Sequence, residues 1–206
     1  VPTPPFRADI VGSFLRPAEL AEARRGFASG QIDADGLRRV EEAAIAELVQ
    51  NQADAGLQLA TDGEFRRAWW HFDFFGLLEG VDIVALDHGI QFQGVETKPH
   101  GIEVSGKIGF PDNHLFLDHF RSLKSLLENT TGAVPKFTIP APTVLDFRLE
   151  PDHIDSSAYE GRDAIVDDLV QAYRDAVAAF YAAGARYLQF DDTAWAYLCS
   201  EAELAK

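Results

Sequence analysis

The sequence predicts an α/β protein in which a mostly parallel sheet is covered by helices. One unit is written twice along the chain: a long helix, a glycine, a short apolar strand and then acidic residues. A third apolar strand, flanked by prolines, lies between the two copies. Near-continuous apolar strands alternating with helices suit a sheet buried on both faces, which is how parallel strands occur. With 206 residues, 47% of them hydrophobic, the chain can bury one sizeable core.

Taken in order, residues 1–16 read as Pro-rich coil with a short strand, ADIVGS, at 8–13. Residues 17–28 read as a short helix with Pro17 in its first turn, where a missing N–H costs nothing. A second helix runs from about Gly36 to Ala55, with Leu37, Val40, Ala44, Leu48 and Val49 at helical spacing and Gly56 ending it. The strand LQLAT follows and stops at Asp62-Gly63-Glu64. From Gly80 to Pro135 the pattern changes to hairpin material, IVALDHGIQFQGV and GIEVSGKIGF, and a helix near 114–127. This segment reads as an excursion beside the sheet, too short to bury a core of its own. The strand KFTIP at 136–140 leads into APTVLDF. A helix from about Arg162 to Ala183 then presents Ile165, Leu169, Tyr173, Ala176, Val177 and Phe180 on one face. Gly184 ends it, and RYLQF runs into Asp191-Asp192.

Charge and composition narrow the function classes. A formal charge of −15 repels phosphate backbones, so nucleic acid is not an expected partner. No apolar run reaches the roughly 18 residues of a membrane span, and the opening VPTPPFRADIVGSF is not laid out as a signal peptide. The single cysteine, Cys199, cannot form an internal disulfide. A cytoplasmic protein is expected. The absence of methionine and the ending CSEAELAK, which reads as the opening of a helix, lead us to expect part of a longer polypeptide.

Acids at the C-terminal ends of parallel strands matter because barrel active sites sit on that face. Glu64 and Asp191 stand at two such ends and can bind an ammonium, hold a metal or move a proton; equally, they can cap the next turn. Asp62 and Asp192 read as turn caps. Val11-Gly12-Ser13 ends the first strand with a glycine that lets a ligand approach and a hydroxyl that can donate. Arg66 or Arg67 can grip a carboxylate, and Trp69 and Trp70 can stack on a flat ring or pack as core; His71 reads as a satisfied, partly buried histidine. None of His71, His88, His100, His114, His119 and His153 pairs with another ligand type at tight spacing, so no metal site is expected within the chain.

Four segments in order, IVGSF at 10–14, DGEFRR at 62–67, IPAPTVLDF at 139–147 and QFDDT at 189–193, resemble the catalytic barrel of the cobalamin-independent methionine synthase family. ATDGEFRRAWWHFDFF and YLQFDDTAWAYLC resemble its short, single-barrel members more closely. The resemblance implies a (β/α)8 TIM barrel, of which residues 1–206 supply about the first four βα units, with the excursion at about 80–134. It implies an S-methyltransferase that transfers a methyl group to a zinc-bound thiolate, homocysteine becoming methionine. Val11, Gly12 and Ser13 would then hold the amino-acid carboxylate, and Glu64 and Asp191 its ammonium. Arg66, Arg67, Trp69, Trp70 and Phe147 become possible methyl-donor contacts. No catalytic residue is assigned. The family's zinc ligands lie on later strands, so Zn2+ is expected in the complete protein only.

The chain departs from the family where folate binds. Phe147 replaces a tryptophan that packs on the pteridine, Tyr197 stands at an acid, and Val95-Glu96 precede Thr97-Lys98-Pro99 where an Arg-Cys pair precedes Lys-Pro. Related alternatives are a zinc-dependent thiol alkyl transfer with a corrinoid or coenzyme M-type partner, a barrel lyase using Glu64 or Asp191 as base, and a non-catalytic half-barrel acting by association. The expected partners are a small thiol and a methyl donor, together with the C-terminal half of the barrel or a second chain that covers the open edges.

Overall fold

A computed structural model describes residues 9–87, 91–92, 94–96, 99–130 and 132–204. They divide into two compact units, one from residues 9–68, 118–138 and 183–189, the other from 69–117, 139–182 and 190–204.

In the first unit, α1 (Ala18–Ala28) and α2 (Ala34–Asp54) come first, α2 starting where the Asp33 carboxylate accepts the Gly36 N–H at 2.7 Å. Strand β1 (Leu59–Ala60) pairs in parallel with β6 (Val134–Pro140), Leu59 opposite Val134, and β8 (Tyr187–Asp191) lies on the other side of β6. Of the parallel sheet read from the sequence, the β1–β6 pairing is parallel, and β8 joins the same sheet. Leu20, Ile45, Val49, Leu59, Phe120 and Phe137 fill the core beneath it.

The strand expected at 8–13 is not formed. Position 8 lies outside the described residues, and in the rest of the segment only Ser13 bridges, in parallel, to Gly63. The cause is visible in the hydrogen bonds. The carbonyl of Ile10 is taken by Lys136 Nζ, that of Val11 by Gln189 Nε2 at 2.6 Å, and that of Gly12 by the Thr61 hydroxyl at 2.6 Å. Side chains satisfy acceptors that a strand would have given to its neighbour. Lys136 itself is 0% exposed, its charge met by Asp9 at 2.9 Å.

In the second unit, β2 (Glu79–Ala85) pairs antiparallel with β5 (His100–Gly109), and β3 (Gln91–Phe92) with β4 (Val95–Glu96), as the hairpin reading expects. The helix near 114–127 is α4 (Leu115–Thr130), most of which belongs to the first unit. Two elements carry no clear signal in the sequence. Strand β7 (Leu149–Ile154) lies parallel to β5, although its sequence LEPDHI is half polar. The APTVLDF segment coils into α5 (Pro142–Arg148), with proline at its start. Helix α6 (Arg162–Ala183) buries Ile165, Leu169, Tyr173, Ala176 and Phe180, as its periodicity predicts; Val177 is exposed. After β8 come a 3₁₀ turn (Ala194–Cys199) and α7 (Glu201–Leu204). No helix among the described residues is long and apolar enough to cross a membrane.

Aromatic rings dominate this unit. Short helix α3 (Phe72–Phe75) places Phe74 against His114, Phe116 and Tyr173, at centroid distances of 4.7, 5.4 and 5.9 Å. His114 is satisfied: Nδ1 accepts the Phe116 N–H at 3.2 Å, so Nε2 carries the proton toward the Phe74 carbonyl at 3.2 Å. His71 is not. It is 2% exposed, stacked between Trp70 (4.6 Å) and Phe72 (4.0 Å), and neither ring nitrogen has a hydrogen-bond partner among the described residues. The expectation of a satisfied histidine is corrected: the ring is held by stacking on its two faces, with no hydrogen bond at either nitrogen among the described residues.

Burial holds His114 down to about 4 and His71 down to about 3, the Arg148 guanidinium adding to the effect at His71. Both folded values lie below the unfolded value of 6.5. As pH falls below about 6.5 the unfolded chain takes up protons that the folded chain refuses, and stability falls by about 1.4 kcal/mol per pH unit for each histidine. Melting temperature should therefore drop between pH 7 and pH 5. His71→Phe should keep the pH 7 stability and flatten that drop; an unaltered acid slope in this variant would refute the assignment.

Candidate functional site

The site is built in the first unit, where β1 ends in Thr61-Asp62-Gly63-Glu64. The Thr61 backbone is held on both sides by buried Gln52, whose Nε2 donates to the Thr61 carbonyl at 2.9 Å and whose Oε1 accepts its N–H at 3.0 Å. The Thr61 hydroxyl donates to the Gly12 carbonyl and accepts the Gly63 N–H at 3.1 Å. With the Phe14 N–H on the Gly63 carbonyl at 3.1 Å, this fastens the Gly12-Ser13 corner beside the acidic turn.

The turn itself is strained and heavily secured. Gly63 and Glu64 both have left-handed backbones, φ 67 and 59, and Glu64 is the one non-glycine residue among those described with positive φ. Asp62 Oδ1 accepts the Glu64 N–H at 2.9 Å, the capping role expected of it. Arg16 donates to the carbonyls of Glu64 (3.0 Å) and Arg67 (2.8 Å), and Arg24 donates to that of Phe65 while pairing with Glu41 at 3.1 Å. A residue in αL persists when its surroundings over-determine it, a pattern concentrated at binding and catalytic sites.

Glu64 is buried, its side chain 7% exposed. Its Oε1 accepts Arg67 Nη1 at 3.2 Å and the Thr138 hydroxyl at 2.8 Å. Arg67 Nη2 donates to the Thr138 carbonyl at 2.5 Å, and its guanidinium lies 5.4 Å from the Phe137 ring centre. Gly12 completes the corner: at φ 137, a Cβ there would stand 2.5 Å from the Thr138 methyl. Thr61, Glu64 and Thr138 are each held by named bonds, and Ser13 joins them through its backbone bridge to Gly63. Within this unit the arrangement offers backbone, a hydroxyl and a carboxylate, the polar groups that bind the charged end of an amino acid.

The other expected residues are placed differently. Arg67, read as a methyl-donor contact, is 2% exposed and bonded to the chain's own Glu64 and Thr138, so it is corrected to a structural partner of the acid. Arg66 lines a cleft of about 570 Å3 beside α2 and α4, with Glu42, Ile45 and Arg121. In the second unit, Trp69 packs edge-on to Phe72 at 5.5 Å and Trp70 stacks on His71, so both rings serve the aromatic cluster. Phe147 is 43% exposed with its ring 4.4 Å from that of Tyr197. Two positions at which the resemblance departs from the folate-binding pattern therefore touch each other. Asp191 ends β8, its carbonyl accepting the Ala141 N–H at 2.8 Å; Asp192 caps the next turn through Ala194 N–H (2.8 Å) and accepts the Thr143 hydroxyl (2.6 Å). Among the described residues no three His, Cys, Asp or Glu side chains group closely enough to hold a metal ion.

Sequence reasoning missed Arg16, Arg24, Gln52, Thr61 and Thr138. Their one local sign is composition: polar residues inside otherwise apolar segments, as Gln52 in α2 and Thr138 in KFTIP.

No protein-family profile matches the chain. It is 46% identical over 200 residues to the uncharacterized protein YxjG of Bacillus subtilis (strain 168), covering 96% of itself and 51% of that protein. It is 44% identical over 191 residues to YxjH of the same organism, covering 93% and 49%. The chain spans about half the length of these curated relatives. Among solved structures, it is 39% identical to a candidate vitamin-B12-independent methionine synthase from Listeria monocytogenes, with TM-score 0.78, covering 96% of this chain and 55% of that one. It also shares the fold of a B12-independent methionine synthase from Shewanella sp. W3-18-1, solved with selenomethionine, at 21% identity and TM-score 0.58, covering 80% and 45%.

Proposed function

We propose that the chain is the N-terminal part of a (β/α)8 barrel of the cobalamin-independent methionine synthase kind, and that the complete protein methylates a thiol amino acid such as homocysteine. The observation that carries this is the corner where Ser13 bridges to Gly63 beside the fixed carboxylate of Glu64. The similarity to the Listeria protein supports the same reading. In it, the Val11-Gly12-Ser13 segment receives the substrate carboxylate and Glu64 receives its ammonium, with Asp191 as the second acid. Arg66, Trp69, Trp70 and Phe147 are left as residues toward the methyl donor.

Thiol alkylation in this family uses zinc, which lowers a thiol's pKa and presents the thiolate. The donor set among the described residues does not fit such an ion, so no step is routed through it here; its ligands would come from the remainder of the complete polypeptide. This chain's task is then to bind and orient the amino-acid end, so that the thiol extends away from Glu64.

In the full-length protein, Glu64→Gln and Asp191→Asn should each weaken homocysteine binding. Each removes a charge-assisted hydrogen bond of about 1.5–3 kcal/mol. Titration calorimetry reads this directly. Unchanged affinity in both variants would sink the amino-acid site.

A further inference from the structure

We infer that Thr138 and Arg67 are positioning residues that commit one oxygen of the Glu64 carboxylate to the protein and leave the other to a primary ammonium, so that the site selects α-amino thiols over their des-amino analogues. This rests on the amino-acid reading of the Ser13–Glu64 corner.

Both hydrogen bonds made by the carboxylate among the described residues end on Oε1. Its two donors are also tied to each other, because Arg67 Nη2 donates to the Thr138 carbonyl. Glu64, Arg67 and Thr138 therefore form a closed triangle, in which the Glu64 or Arg67 side chain cannot turn without breaking two bonds, and the Thr138 side chain cannot turn without giving up its bond to Glu64. The Thr138 rotamer is fixed by Gly12, whose missing Cβ is the space that the Thr138 methyl fills. With the methyl lodged there, the hydroxyl is directed to Glu64. The backbone end of Glu64 is equally fixed, by Asp62 on its N–H and Arg16 on its carbonyl. None of the described residues hydrogen-bonds Oε2.

A carboxylate held this way offers a single strong acceptor in a set place. That matches an ammonium, which needs one charged acceptor per N–H. It does not match a guanidinium, whose planar fork binds best when both oxygens are available. Substrate choice would then depend on two side chains that never touch the substrate.

The test compares homocysteine with 4-mercaptobutanoate, which keeps the thiol and the carboxylate and lacks the ammonium. Binding of each to the full-length protein is measured by calorimetry. Thr138→Val keeps the methyl against Gly12 and deletes the hydroxyl. It should weaken homocysteine binding about tenfold or more, leave 4-mercaptobutanoate within about twofold, and be rescued by Thr138→Ser. Arg67→Lys, a second route to the same loss that keeps the charge, should reduce the same discrimination. Equal weakening of both ligands, or unchanged discrimination in both variants, overturns the proposal. Glu64→Gln separates the two levels. If it abolishes discrimination while Thr138→Val and Arg67→Lys do not, the amino-acid site stands and the positioning fails. If it too leaves discrimination intact, the amino-acid reading falls and the positioning falls with it.

Discussion

Arg67→Ala is expected to destabilise the protein by about 3–5 kcal/mol, because it leaves the Glu64 carboxylate buried without its cation. Both partners of this pair are almost wholly enclosed, at 2% and 7% side-chain exposure, so water cannot compensate. The variant also strips the Thr138 carbonyl of its 2.5 Å donor. The double variant Glu64→Gln/Arg67→Met should recover much of the loss, since it removes the uncompensated charge as well as the pair. Denaturant unfolding of the three proteins measures this. A single-variant cost below about 1 kcal/mol would place the pair in the class of solvated surface bridges and contradict the burial.

Gly12→Ala is expected to cost about 2–6 kcal/mol from two separable sources. At φ 137 an alanine backbone is strained by about 1–3 kcal/mol. Its Cβ would also overlap the Thr138 methyl at 2.5 Å, an overpacking that costs about 1–3 kcal/mol more. Gly30→Ala is the control: φ is 76 there and a Cβ would meet nothing within 4 Å, so only backbone strain applies. A loss at Gly12 no larger than at Gly30 would show that the Thr138 contact yields freely. The triangle around Glu64 would then lack the rigidity argued for it.

The sequence was most legible where order is local. Helix α6 follows its predicted bounds because its apolar residues recur at helical spacing, and α2 agrees to within two residues at its start. Asp62 and Asp192 cap their own turns, a relation between near neighbours. Glu64 stood out because an acid at a parallel strand's end is chemically conspicuous. Hidden from view were the groups that fix it. Arg16 reaches a carbonyl 51 residues away, and Lys136 reaches Asp9 across 127. Nothing near either residue in the chain announces such a partner. Adjacent Arg66 and Arg67 could not be told apart either. Which of them turns inward depends on the left-handed backbone at Glu64, and an L-residue there is not anticipated from its side chain. Strand β7 escaped because its glutamate, proline and aspartate mask a segment that joins β5 by its backbone.

The three arginines on the 64–67 turn also dictate an order of assembly. Arg16 precedes α1 and Arg24 lies within it, so the bonds these two give to the turn's carbonyls exist only after the chain's first helix has docked. A peptide spanning 59–70 contains none of these donors except Arg67, which keeps Glu64 as a partner but lacks Thr138, far along the chain. The turn therefore has only its local bonds to start from and gains its long-range restraints late, after long loops have closed. The same linkage runs in reverse: when α1 detaches in a local opening, the turn loses its restraints at once. Amide exchange at Glu64 and Arg67 should then follow the opening of a helix whose own residues never enter the pocket.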